Sequence, residues 1–188
     1  MTPTKTPRIP GDRVELRPFT EALISEEYLG WLNDKTLMQY SRQRHLSHTR
    51  ESCREYLQSF ESTPHCFWAT YWKAPELHIG TMTAYVDPTS NVADLGILIG
   101  HRMARECGVG REAWGLAMGY LFAEEGLRRV TGGTVAWNVP MIRIFEHWGM
   151  KREGTLREHE LIGGHAVDVV LYGLLANERA PLRVRSSV

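Results

Sequence analysis

Cysteine is scarce in this chain: only Cys53, Cys66 and Cys107 occur in 188 residues. An odd number without paired metal-type spacing excludes a disulfide framework, so the three read as reduced thiols. Long hydrophobic runs are missing too. No segment approaches the roughly 20 apolar residues of a membrane span, and Met1 to Pro10 has no apolar leader core. Surplus charge of either sign is absent, with Lys plus Arg and Asp plus Glu both at 22. Without a global field, neither nucleic acid nor an acidic membrane is an expected partner. The eight histidines lack ligand spacing, so no metal is expected. These absences point to a soluble cytoplasmic protein. What remains is 43% apolar and 23% charged, enough to bury a substantial core. The expectation is one domain over 11–177, with a disordered start at 1–10. A tail at 178–188, whose Arg179 to Val188 stretch carries three arginines and two serines, is expected to fray.

Alternating residues from Arg13 suggest a first strand. Apolar residues at helical spacing in Thr20 to Tyr40 suggest two short helices, split by Gly30 and Asn33-Asp34. His48 to Phe60 reads as a further helix, capped by Thr49. Cys66 to Trp72, His78 to Tyr85 and Ala93 to Gly100 read as an antiparallel meander. A helix from Val109, striped with Ala113, Ala117, Tyr120 and Leu121, should stop at Gly126. Gly115 and Gly119 inside it suggest a face packed against another backbone. Then come a strand at Arg129 to Trp137, a helix opened by Pro140, and two strands around Gly163-Gly164. The order is mixed α/β with a central β-α-β-α-β.

The most informative segment is Arg105-Glu-Cys-Gly108-Val-Gly110-Arg-Glu-Ala113, between a strand and a helix. Glycines allow close backbone approach, and the first N–H groups of a helix lack internal partners, so the segment suits an anion such as pyrophosphate. Gly108-Val-Gly110-Arg-Glu-Ala113 also matches the dinucleotide fingerprint G-x-G-x-x-G/A. A nicotinamide-binding oxidoreductase is nevertheless disfavoured, because nothing between Glu125 and Glu146 is acidic and that motif needs a carboxylate about 20 residues on to hold a ribose. A P-loop lacks its Gly-Lys-Ser/Thr.

Arg105-x-x-Gly108-x-Gly110 resembles the pyrophosphate loop Q/R-x-x-G-x-G/A of the GNAT superfamily of acetyl-CoA-dependent N-acetyltransferases. Ala-Asp94-Leu-Gly96-Ile-Leu-Ile resembles that family's fourth strand. Asn138-Val-Pro-Met-Ile-Arg-Ile-Phe145-Glu-His-Trp-Gly149-Met is similar to its N-x-x-S-x-x-x-Y-E-K-x-G-F. Glu153 to Arg157 and Asp168 to Gly173 also look like the branch containing ribosomal-protein alanine and sugar-amine acetyltransferases. The resemblance runs from Arg13 to Leu175. It implies a mostly antiparallel central sheet flanked by helices, with a splayed strand pair holding CoA.

By the same resemblance, the backbone at Ile97, Leu98 and Ile99 would pair with pantetheine. Arg105, Gly108, Val109, Gly110 and Arg111 would take the pyrophosphate, with Asn138 and Phe145 also against the cofactor. A backbone N–H near Leu98 would stabilise the thioester oxyanion, Asp94 is the leading base, and Asn138 would contact pantetheine or a bridging water. His78, Tyr40 and Glu158 are weaker base candidates. Phe145 stands where the family usually has a tyrosine acid, and Met141 where this branch often has serine. Neither donates a proton; water would then protonate the thiolate, or His147 would substitute. Trp31, Tyr40 and Arg42, with Arg44 and His45 nearby, would meet the acceptor: a small-molecule amine such as an aminosugar, or a peptide N-terminus. An open groove favours the peptide and a closed pocket the sugar. A CoA-binding module without catalysis is the alternative, and a homodimer is possible through edge strands.

Overall fold

The computed structural model describes residues 6–179. Eight strands form one sheet: β1 (Ile9–Pro10), β2 (Val14–Pro18), β3 (Cys66–Trp72), β4 (Leu77–Asp87), β5 (Val92–Ile99), β6 (Arg129–Val135), β7 (Lys151–Ile162) and β8 (His165–Leu175), in the order β1-β2-β3-β4-β5-β6-β8-β7. Every neighbouring pair is antiparallel except β5 and β6. A parallel pair needs a crossover helix, and α3 (Val109–Ala123) supplies it. The chain also forms α1 (Glu26–Asn33), α2 (Arg50–Gln58) and α4 (Val139–His147). No helix of the described residues is long and apolar enough to cross a membrane.

Alternation along β5 decides which layer each side chain joins. Ala93, Leu95, Ile97 and Ile99 face α3 and belong to the larger core, with Trp68, Trp114, Leu121 and Phe145. Leu98 faces the other way, into a smaller cluster of Tyr28, Trp31, Phe60 and Phe67 beneath α1 and α2. The residue between Ala93 and Leu95, Asp94, therefore lies on the α1/α2 face.

Local chemistry explains most element ends. Ser25 caps α1 by accepting from Tyr28 N, and Thr49 with Ser52 forms a reciprocal capping box on α2. Thr20 to Tyr40 holds one α-helix rather than two, flanked by 3₁₀ turns at Glu21–Leu23 and Leu37–Tyr40. Gly30 sits inside α1 with open space around it. The break comes instead from the Asp34 carboxylate, which accepts from Thr36 N and Leu37 N at 2.9 and 3.1 Å.

The expected disorder at 1–10 does not hold for residues 6–10. Trp68 Nε1 donates to Pro7 O at 2.9 Å, and Arg8 pairs with the buried Glu15 at 2.5 Å. Together with Arg17, Arg8 outweighs the desolvation of the Glu15 carboxyl and lowers its pKa to about 2. Residues 1–5 lie outside the described residues. At the other end, Ala176–Glu178 is an ordered turn in which Glu178 accepts from Leu175 N at 3.2 Å. Of the expected frayed tail, 180–188 lie outside the described residues.

Gly115 has a different neighbour from the one its sequence context suggests: a Cβ there would collide with the Trp148 indole, a side chain rather than a backbone. The indole cannot swing aside freely, since its Nε1 donates to Arg111 O at 2.8 Å. Helix propensity favours Ala over Gly by about 1 kcal/mol, whereas overpacking costs about 1–3 kcal/mol. Gly115→Ala is therefore expected to lower the melting temperature, by about 2–4 °C per kcal/mol for a domain of this size. A rise in thermal denaturation would show that Trp148 yields.

Candidate active site

β5 and β6 pair only at Val92–Arg129, Ala93–Val130 and Asp94–Thr131, then part. Three observations set the backbone phase beyond that point. Gly100 N donates to Ile79 O at 2.9 Å; a Cβ on Gly80 would run into Leu98 O; and Ala93 O lies 3.3 Å from Thr131 Oγ1 on β6. Antiparallel ladders alternate, so the N–H and C=O of Leu98 turn toward β4, where Leu98 stands opposite Thr81. Those of Ile97 and Ile99 turn into the split. This corrects the expectation for Leu98: its N–H cannot serve as the oxyanion donor or pair with pantetheine. The first free donor beyond the split is Ile97 N–H.

At the far end of β5 the chain turns through a 3₁₀ turn, Arg102–Ala104, and enters α3 at Gly108, whose φ of +78° suits a residue without Cβ. No side chain caps this helix. The N–H groups of its first turn, at Val109, Gly110 and Arg111, lack intrahelical partners and are available to an anion. Arg13 Nη1 braces the loop by donating to Cys107 O at 3.0 Å, and Arg105 by donating to Gly100 O at 2.7 Å. Glu112 is drawn off toward β2, where it accepts from Arg13 N and Val14 N. Gly110 lets α3 approach β5: a Cβ there would stand 3.2 Å from Ile99 Cγ1. The Val109 side chain is buried in the core, so only its backbone faces the loop.

One continuous cleft of about 1980 Å³ joins these parts. It runs from Gly108, Gly110 and Arg111, past Gly96, Ile97 and Gly133, to Tyr40, Arg42 and Glu160 on the opposite face of the sheet. A single small-molecule site occupies roughly 300–1,000 Å³. The volume suits two ligands meeting through the split.

Asp94 lies recessed in this cleft yet open to water, accepting from Thr131 Oγ1 at 2.8 Å. Surrounding protein desolvates the carboxyl and raises its pKa above the usual 3.8, against the opposing Thr131 hydrogen bond. Asn138 is committed to the fold: its Oδ1 caps α4 by accepting from Met141 N at 3.3 Å, and its Nδ2 donates to Thr134 Oγ1 at 2.9 Å. One amide hydrogen is left for a ligand. Phe145 is fully buried and stacked on Tyr172 at 4.8 Å, forming the floor of the cleft beside Met141.

On the acceptor face, Tyr40 and Arg42 line the cleft, but Trp31 does not. Only 8% exposed, Trp31 fills the space that the missing Cβ of Gly100 leaves, and packs on Tyr28 and His78. The expectation that Trp31 meets substrate is thereby overturned. His78 is half-buried against the same aromatic rings, where desolvation lowers its pKa to about 4, and does not line the cleft; nor do Glu158 and the exposed His147.

Glu160, His159 and the hydroxyl-paired Tyr56 and Tyr85 were not anticipated. Glu160 is 9% exposed and is gripped by Arg42 and by Arg44, the latter at 2.8 Å. Burial pushes its carboxyl up, but the two guanidinium groups outweigh burial and hold it below the usual range. A bulge in β7 between Leu156 and Glu160 brings this pair to the cleft. Glu158, at φ +51°, marks the bulge and donates its N–H to Asp168 Oδ1 at 2.9 Å. Among the described residues no three His, Cys, Asp or Glu side chains converge to hold a metal ion.

The sheet thus splits beside a glycine-opened helix N-terminus, leaving free backbone donors on a strand edge and at a helix start. Residues 13–151 match the model of the acetyltransferase (GNAT) domain, and the chain belongs to that family. Solved structures agree on the fold. A GNAT-family acetyltransferase from Bacillus anthracis aligns over 91% of this chain and 99% of its own, at 20% identity and a TM-score of 0.78. The ribosomal L7/L12 alpha-N-protein acetyltransferase RimL, in complex with coenzyme A, aligns over 92% and 99%, at 16% identity and TM-score 0.81. A spermidine N-acetyltransferase from Vibrio cholerae, in complex with CoA and spermine, aligns over 89% and 98%, at 18% identity and TM-score 0.80. No curated protein sequence matches the chain.

The environment of Asp94 sets a sign for two measurements. A carboxyl whose pKa is raised by folding binds its proton more readily folded than unfolded, so its charge costs stability at neutral pH and the cost fades on acidification. Asp94→Asn is expected to leave the melting temperature at pH 7 unchanged or higher. Acetyl transfer should meanwhile fall by about 10²-fold or more and lose the acid limb of the wild-type pH profile, which should lie above an ordinary carboxylate's. A stability loss with activity retained would make Asp94 structural.

Proposed function

We propose that this protein transfers an acetyl group from acetyl-CoA to the N-terminal amine of a peptide or protein, by direct attack within a ternary complex. The single observation that carries this reading is the continuous cleft through the sheet, with the helix N-terminus of α3 at one end and an open acceptor face at the other. Pyrophosphate would rest on the N–H groups of Gly108 to Arg111. The pantetheine arm would lie in the split against Ile97 and Ile99 as a false strand.

The amine enters from the α1/α2 face. Asp94 takes its proton, directly or through a water, and the neutral nitrogen attacks the thioester carbon. Ile97 N–H faces the oxyanion that forms, a contribution of about 3–4 kcal/mol for one well-placed donor. Collapse breaks the C–S bond and releases CoA thiolate; the nitrogen, cationic after attack, gives its second proton to solvent water, and the thiolate takes its proton from water because Met141 and Phe145 carry none.

Two features support a peptide acceptor. The cleft continues past the split to Tyr40, Arg42 and Glu160, which leaves length for the residues behind a peptide's first one. Arg42, exposed where Arg44 and Glu160 are buried, would pair with a carboxylate beyond a peptide's first residue. A CoA-binding module without catalysis is the second reading, favoured by Phe145 and Met141; measurable transfer to any amine eliminates it.

Calorimetric titration with acetyl-CoA, beside NADH, tests the cofactor. Wild type should bind acetyl-CoA only, and Gly110→Trp, which drives a ring against Ile99, should lose at least tenfold in affinity. Binding of NADH, or equal binding by the variant, would overturn the placement of the pyrophosphate.

A further inference from the structure

At the point where the split opens, the acceptor face of the sheet has no side chains on either strand. The last rung is Asp94 opposite Thr131, and two residues further along each strand, on the same face, stand Gly96 and Gly133. Both line the cleft. A Cβ on Gly96 would collide with Thr83 Oγ1, at 2.8 Å, across β4; one on Gly133 would press on Leu171 Cδ2, at 3.2 Å, with Val170 O at 3.6 Å, across β8. Neither reaches the other strand, so the two glycines flank an opening with Thr83 on one bank and Leu171 on the other. At its closed end lies the Asp94–Thr131 hydrogen bond.

Neither glycine has a backbone reason to be one. Both lie in β-strands, and neither has a positive φ. A glycine inside a strand weakens it and marks a close approach of something else. The facing pair therefore points to a ligand that crosses the sheet here.

We propose that Gly96 and Gly133 form the aperture through which the acceptor amine reaches the thioester, and that its width selects acceptors whose amine is borne on a slender carbon. The inference rests on the acetyl-transfer reading above and deepens it. Asp94 sits on the sill, so an entering ammonium passes its carboxylate before reaching the split. Bulk beside the amine would press on Thr83 and Leu171, whereas the peptide beyond the first residue would lie outside in the open groove.

The test compares wild type, Gly133→Ala and Gly133→Val on peptides identical except for a first residue of Gly, Ala or Val, with acetyl-CoA affinity measured by calorimetry. Wild type should prefer Gly or Ala over Val. Gly133→Val should bind acetyl-CoA within twofold of wild type, yet lose about tenfold or more in kcat/KM on the Ala peptide and less on the Gly peptide. Gly133→Ala should show the same ordering at smaller amplitude, and it carries the test should Gly133→Val fail to fold. Equal losses on all peptides, weakened acetyl-CoA binding, or no loss at all would overturn the aperture while leaving acetyl transfer standing. No transfer by wild type to any peptide would overturn the acetyl-transfer reading, and the aperture with it.

Discussion

The structure depends on a backbone valence left open in the middle of a sheet. β5 is bonded to β4 along its whole length, but β6 stays with it for three rungs only. Beyond them Ile97 and Ile99 present N–H and C=O groups to no strand. A buried polar group without a partner costs about 1–3 kcal/mol, so such an edge inside a protein is tolerated only where water or a ligand fills it. The side chains of the same residues anchor the larger core. β5 is thus rigid on one edge and receptive on the other, which is what a binding site built from backbone requires.

Everything around the split follows from that edge. The crossover helix demanded by the parallel β5–β6 pair begins at Gly108, and its first residues line the same cleft as the open edge. The alternation that turns Ile97 inward places Asp94 on the opposite face, beside the route an amine would take. Helices α1 and α2 wall that face without sealing it, because the 3₁₀ turns between them carry Tyr40, Arg42 and Arg44 outward to meet β7. On the reading proposed above, cofactor and acceptor would approach from opposite sides of one sheet.

Elements built on local chemistry were legible in the sequence: the meander, the α3 stripe, the Thr49 cap and the glycine loop all declare themselves within a few residues. Three features were not. Trp31 has the helical spacing of a groove residue, but its burial depends on Gly100, far along the chain. Leu98 sits among look-alike apolar neighbours, and only the hydrogen-bond phase with β4 separates it from Ile97. The grip of Arg42 and Arg44 on Glu160 joins residues more than a hundred positions apart through a bulge at Glu158, and no periodicity announces it. Long-range register was the missing information in each case. A signal for the last did exist in the unexplained acidic residue within Glu158-His159-Glu160.

Residue-resolved amide exchange by NMR tests the open edge most directly. In the free protein the amides of Ile97 and Ile99 should exchange rapidly while Leu98, bonded to β4, is protected. Saturating acetyl-CoA should slow Ile97 and Ile99 and leave Leu98 as it was. Protection of Ile97 and Ile99 before any ligand is added, or no change on adding it, would contradict a split that holds pantetheine as a strand.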